Sequence, residues 1–128
     1  MSYHFSKTVA LPMNAAIDHV TAALAAKGFG VLTTIDVAAT LHKKLDVDFR
    51  PYVILGACNP GFAYKALQKE SRIGTMLPCN VIIQQMDESH VEVSAVDPIA
   101  SMQGIENPGL ASIAGEVRDL LKQAVEGL

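Results

Sequence analysis

Charge, cysteine and long apolar runs are all scarce in this chain, and each scarcity removes a class of function. Only 18% of the 128 residues are charged, 10 basic against 13 acidic, for a formal net charge of −3. The basic residues are scattered, with Lys43-Lys44 the one adjacent pair. A general nucleic-acid binder needs a basic stripe, and none is present. No apolar run approaches the roughly 18 residues of a membrane-spanning helix. The N-terminal MSYHFSKTVAL lacks a charged-then-apolar leader and reads as a first strand. The chain has 2 cysteines; with no export signal they predict reduced thiols in a cytoplasmic protein. Neither CxxC nor Cys/His spacing is present to mark a metal site. Gly28-Phe29-Gly30 matches no phosphate-cradling fingerprint. No Ser/His/Asp arrangement follows from order or spacing, and Asp36 and Asp97 have no visible carboxylate partner for acid–base work. No catalytic set is recognisable, and no cofactor is indicated.

What is abundant is apolar surface. Half of the residues are hydrophobic, and a chain of this length reads as a single domain, residues 1–128, able to bury a core without staples. So few charges on so small a chain predict that some apolar surface is covered by a second copy, making a homodimer.

Hydrophobic periodicity gives the order of elements. From Tyr3, the residues Tyr3, Phe5, Val9 and Leu11 alternate with His4, Ser6, Thr8 and Ala10 as a half-buried strand that Pro12 ends. A helix follows, with Asn14 as N-cap, a stripe of Ile17, Val20 and Leu24, and Gly28 as its stop. Phe29 to Ile35 is the second strand. Val37 to Leu45 reads as a short amphipathic helix capped by Asp36, with His42, Lys43 and Lys44 in its last turns.

Arg50 to Cys58 is the third strand, apolar on both faces through Tyr52-Val53-Ile54-Leu55 and so central or covered twice. Asn59-Pro60 starts a helix with an N-cap and a first-turn proline, and Phe62, Ala63, Ala66 and Leu67 supply its inner face. The helix fades near Glu70, and Ile73 to Pro78 is a connector. Cys79 to Met86 is the fourth strand, and a turn at Asp87-Glu88-Ser89 leads to the fifth. There Val91, Val93 and Ala95 face inward while His90, Glu92 and Ser94 face water. Ile99 to Glu106 reads as a loop or loose turn, with Asp97 placed to cap the turn that follows it. Asn107-Pro108 opens the last helix, whose stripe is Leu110, Ile113, Val117, Leu120, Leu121 and Ala124. The order β-α-β-(short α)-β-α-β-β-α predicts an α+β, two-layer fold, with helices on one face of a mainly antiparallel sheet.

The segments GFGVLTTIDVAATLHKKL (Gly28–Leu45), YVILGACNP (Tyr52–Pro60), LPCNVIIQ (Leu77–Gln84) and VDP (Val96–Pro98) resemble the family named domain of unknown function 302. They occur in order and at fitting intervals over nearly the whole chain. The resemblance implies a compact α/β domain similar to the TATA-binding-protein-like class, helices on one sheet face, and dimerisation. It implies no reaction.

Candidate chemistry concentrates between Arg50 and Asn80, where Cys58-Asn59 and Cys79-Asn80 lie. Cys58 directly precedes a predicted helix N-terminus, where unpaired amides and the dipole favour a thiolate. Cys79 is the natural second sulfur. Three readings stand together: a non-enzymatic domain binding an unidentified small ligand or partner, a thiol-dependent redox or sulfur-handling protein, and a soft-metal site for copper or zinc from Cys58, Cys79 and His42. Plain structural roles fit the same residues, because Asn59-Pro60 is explained by helix initiation, free cysteine often fills a core, and His42 suits a solvated helix face. If the helix after Cys58 simply returns along the sheet, Cys79 starts its strand at the far end; if the connector doubles back, the two sulfurs meet.

Overall fold

The computed structural model describes residues 2–128. The period-two segments pair into a five-stranded sheet: β1 (His4–Val9), β2 (Gly30–Asp36), β3 (Tyr52–Cys58), β4 (Cys79–Gln85) and β5 (Val91–Val96). Their spatial order is β1-β5-β4-β3-β2, and every neighbouring pair is antiparallel. Strands β1 and β2 are therefore the edges.

The described residues also form five α-helices, three between strands and two after the last: α1 (Met13–Ala26), α2 (Val37–Leu45), α3 (Pro60–Lys69), α4 (Pro98–Ser101) and α5 (Pro108–Glu126). The predicted α+β order is thus present, with every predicted strand in place. Among the described residues no helix is long and apolar enough to cross a membrane.

The sheet buries one face. Val53, Leu55 and Ala57 of β3, Val81 and Ile83 of β4, and Val91, Val93 and Ala95 of β5 pack with Val20 and Leu24 of α1 and Val117 and Leu121 of α5. Strand alternation sends every second residue to this side. A second, smaller cluster of Ala66, Ile73 and Leu110 joins α3 to α5 and to the turn before β4.

Several local expectations are corrected. Asn14 does not cap α1, because the helix starts at Met13, two residues earlier than such a cap implies, and no side chain caps it. Leu67 of α3 is 45% exposed; Ala66 alone in that helix is fully buried, so its inner face is narrower than its composition suggests. The segment read as a loop or loose turn after Asp97 begins with the short helix α4, where Asp97 caps as expected by accepting a hydrogen bond from the Ile99 amide and Pro98 occupies the first turn. Likewise Ile73–Met76 winds into a 3₁₀ turn. Strand β3 is internal but shielded on one face only: Tyr52 and Ile54 stay part-exposed. Other predicted devices are in place. Asp36 accepts from Ala39 N at 2.9 Å to cap α2, and Gly28 takes φ +87° at the end of α1.

Asp97 is also a tie-point. Its amide donates to the Tyr3 carbonyl at 2.8 Å, and its Oδ2 accepts from Arg118 Nε at 3.2 Å. The Arg118 guanidinium lies 5.0 Å from the Phe5 ring centroid. One residue thereby links the start of β1, through its amide, to α4 and α5, through its carboxylate.

Among the strand glycines of the described residues, Gly56 of β3 is the one with no room for a side chain. A methyl group there would meet Thr33 Oγ1 of β2 and Pro78 Cγ of the connector. Gly56→Ala is expected to destabilise the fold by about 1–3 kcal/mol, the usual cost of overpacking, measured as a lowered urea midpoint with an unchanged slope; wild-type stability would refute this close packing.

Candidate functional site

Cys58 is the last residue of β3 and Cys79 the first of β4. In the antiparallel register Ala57 stands opposite Cys79, so the two cysteines meet at the same end of the sheet. Helix α3, about 15 Å long at 1.5 Å per residue, carries the chain away. The segment from Glu70 through the 3₁₀ turn at Ile73–Met76 then doubles it back.

Both cysteines are free thiols. They line one apolar cavity of about 30 Å³ with Asn59, Phe62, Leu77 and Met102 among its walls. That volume accommodates a water molecule or two, or one soft ion, and excludes an organic ligand. Burial pushes the Cys79 thiol up to about 11, and the neighbouring Cys58 adds to the rise. Cys58 is part-exposed at the cavity's edge. Asn59 belongs to the same corner, where its Oδ1 faces the Phe62 amide at 3.5 Å and caps α3.

Asn80 does not join them. Alternation turns it to the opposite, uncovered face of the sheet, where it is exposed beside Gly56. His42 is also separate: it lies on α2, which follows the end of β2 paired with Val53, roughly 20 Å along the sheet from Cys58 at strand rise. Its Nδ1 sits 3.8 Å from Asp48 on an exposed surface. The predicted soft-metal set of Cys58, Cys79 and His42 is corrected accordingly to at most two sulfurs. Among the described residues, no three His, Cys, Asp or Glu side chains stand close enough to hold a metal ion.

The uncovered face carries a second constellation that sequence reasoning passed over. Here β1, β5, β4 and β3 present their polar alternation, and a cleft of about 350 Å³ opens between Tyr3, His4, Tyr52, Ile82, Glu92 and Val96. A chain of hydrogen bonds crosses it. Arg50 Nε and Nη2 donate to Gln84 Oε1 at 3.0 and 2.8 Å. Gln84 Nε2 in turn donates to Glu92 Oε1 at 3.4 Å.

On the other side Ser94 Oγ donates to the same carboxylate oxygen at 3.4 Å. Ser94 and Ser6 hydroxyls lie 2.7 Å apart, as do Ser6 Oγ and His4 Nδ1. Each hydroxyl in this chain can donate or accept, and His4 Nδ1 takes the complementary role according to its tautomer. The signal for these residues was present as the wet alternation of β5 (Glu92, Ser94) and β1 (His4, Ser6), but each strand alone reads as ordinary solvated surface.

The buried thiol has a pH consequence. An unfolded cysteine ionises near 9.0, whereas Cys79 in the fold holds its proton to about 11. Stability contributed by the protonated thiol is therefore complete below pH 9 and lost as pH rises towards 11, at about 1.4 kcal/mol per unit. Relative to Cys79→Ala, the wild type should lose about 3 kcal/mol of stability over that interval, read from urea melts of both proteins; parallel pH profiles would show the thiol to be solvated.

The chain matches the family described as domain of unknown function DUF302 over residues 5–128. It is similar to the crystal structure of an uncharacterised conserved DUF302 protein from Bacillus stearothermophilus, with a TM-score of 0.90 and 28% identity over 98% of each chain. No curated protein matches. Matched over nearly its full length in sequence and in fold, the chain belongs to the DUF302 family.

Proposed function

We propose that this protein is a non-enzymatic, cytoplasmic small-ligand-binding domain that works as a homodimer, with its ligand on the uncovered sheet face. The observation that carries this reading is the open cleft of about 350 Å³ with its ordered polar chain. Its size falls within the range of small-molecule sites, and its mix of apolar walls with a few fixed polar atoms is their usual character. The thiol cavity is an order of magnitude too small for the same role.

Dimerisation is supported by apolar surface elsewhere. Leu32 and Ile35 on edge strand β2, Leu45 at the end of α2, and Val47 and Phe49 before β3 are all at least 40% exposed. Free thiols in a chain without a disulfide fit a reducing compartment.

Light scattering should give a mass twice the 13.6 kDa of the chain, and Leu45→Glu combined with Val47→Glu should halve it. In the same sample, a screen of small polar compounds should perturb amide resonances around Ile82 and Ser94, and Ile82→Trp, which fills the cleft, should abolish the response. A 13.6 kDa wild type rejects the dimer; shifts confined to other elements reject the cleft.

A second reading is favoured by the convergence of Cys58 and Cys79 on one cavity. Two adjacent thiols can close to a disulfide by giving two electrons and two protons to an incoming disulfide substrate, with Cys58 attacking and Cys79 resolving. They could equally hold a two-coordinate soft ion such as copper(I), whereas zinc wants four ligands. Maleimide titration across pH separates thiol chemistry from packing: this reading requires fast modification at Cys58 near neutral pH, and slow modification at both cysteines rejects it.

A further inference from the structure

We infer that a second copy of this chain pairs antiparallel with edge strand β2, joining the two five-stranded sheets into one continuous sheet. This rests on the homodimer reading above and names the interface through which the dimer closes.

The two edges of the sheet are built differently. An edge strand offers a row of unpaired amides and carbonyls, and proteins guard such rows with lysine, proline or inward-pointing charge. Strand β1 is guarded. Lys7 alternates with Phe5 and Val9 on its inner side, and Lys7 Nζ donates to the Glu126 carbonyl of α5 at 2.9 Å. The cationic groups of Arg118 and Lys122 lie 5.0 and 6.0 Å from the Phe5 ring centroid. Strand β2, Gly-Val-Leu-Thr-Thr-Ile-Asp, contains no lysine, arginine or proline. Its single charge, Asp36, closes the strand and is occupied in capping α2. A register shift between Val31 and Thr33 leaves Leu32 without a partner on β3, and this extra residue is a leucine, 67% exposed, where a guarded edge would place a charge. Thr33 to Asp36 then continue in regular pairing, with alternate amides and carbonyls turned to the open edge.

Apolar surface gathers at the same edge. Leu32, Ile35, Leu45, Val47 and Phe49 are exposed large hydrophobic residues on β2 or on the excursion from β2 to β3. No other stretch of that length among the described residues holds as many. The accessible surface gives the size of what is missing. One copy exposes 7401 Å², whereas a monomeric protein of 13.6 kDa exposes about 6,600 Å². The excess of about 800 Å² equals the area each partner contributes to a standard protein interface.

A second copy meets each of these conditions. A two-fold axis across the edge sets β2 antiparallel to its own copy, the pairing that every neighbouring strand in this sheet already uses. The two Asp36 carboxylates then fall at opposite ends of the new pair, so no like charges oppose each other. Both bare edges are consumed, and the outer edges of the joined sheet are the two guarded β1 strands. Assembly therefore stops at two copies.

The test combines mass with amide hydrogen exchange on the full chain. Wild type at micromolar concentration should scatter as twice 13.6 kDa. Leu32→Lys combined with Thr34→Lys, which gives β2 the kind of guard that β1 has, should scatter as a single chain with an unchanged circular dichroism spectrum. In wild type, the edge-facing amides of β2 should exchange about ten-fold or more slowly than those of β1. A single-chain mass for wild type overturns the dimer and this interface together. Fast exchange at the edge-facing β2 amides of a wild-type dimer overturns the strand pairing and leaves the dimer standing, and so does a dimer that survives the two lysines. Should the lysine variant not fold, the wild-type exchange pattern decides alone: slow edge-facing amides on β2 uphold the pairing, and fast ones reject it.

Discussion

The apolar side of the sheet must be shielded from water, and only α1, α3 and α5 are placed to do so. Val81, Ile83, Val91, Val93 and Ala95 are fully buried on that side, as is Leu121 of α5. Each fully buried aliphatic side chain contributes about 1.5–3 kcal/mol relative to exposure, so this one interface outweighs any single polar contact in the molecule. Because all three helices are committed to it, the other sheet face is left for polar alternation. The cleft is a consequence of one-sided burial.

The two candidate sites differ in physical character because they lie on opposite sides of the same strands. Residues Cys79 and Asn80 are adjacent in sequence, yet one enters an apolar cavity and the other lines a wet cleft. On the buried side, desolvation keeps the Cys79 thiol protonated and leaves little room. On the open side, a carboxylate, an amide, two hydroxyls and an imidazole form a continuous chain of hydrogen bonds. Asp97, joined to Tyr3, Ile99 and Arg118, secures the strand β1 that brings His4 and Ser6 to this face.

Elements with strong local chemistry were legible in the chain itself. Asn59-Pro60 and Asn107-Pro108 open helices because an Asn side chain satisfies free amides and proline needs no donor. The stripe of Leu110, Val117, Leu121 and Ala124 is buried as its 3.6-residue spacing implies. Legibility failed where geometry is marginal. Asn14 resembles a cap, but the preceding Pro12 and Met13 already begin the turn. Leu67 looks like an inner-face residue, yet α3 meets the core through little more than Ala66 and Phe62.

The order of elements, the antiparallel α+β class and the family were determined by local patterning, since alternation and capping are written in neighbouring residues. Whether Cys58 and Cys79 meet was left to the tertiary structure, because it turns on a connector doubling back before β4, and no local period encodes where a chain returns. The polar chain from Arg50 to His4 is likewise a tertiary product. Its members lie on β1, β4, β5 and the approach to β3, and only strand register brings Ser6 opposite Ser94 and Gln84 opposite Glu92. A residue's neighbours along the chain decide which face it takes; its neighbours across the sheet decide what it can bind.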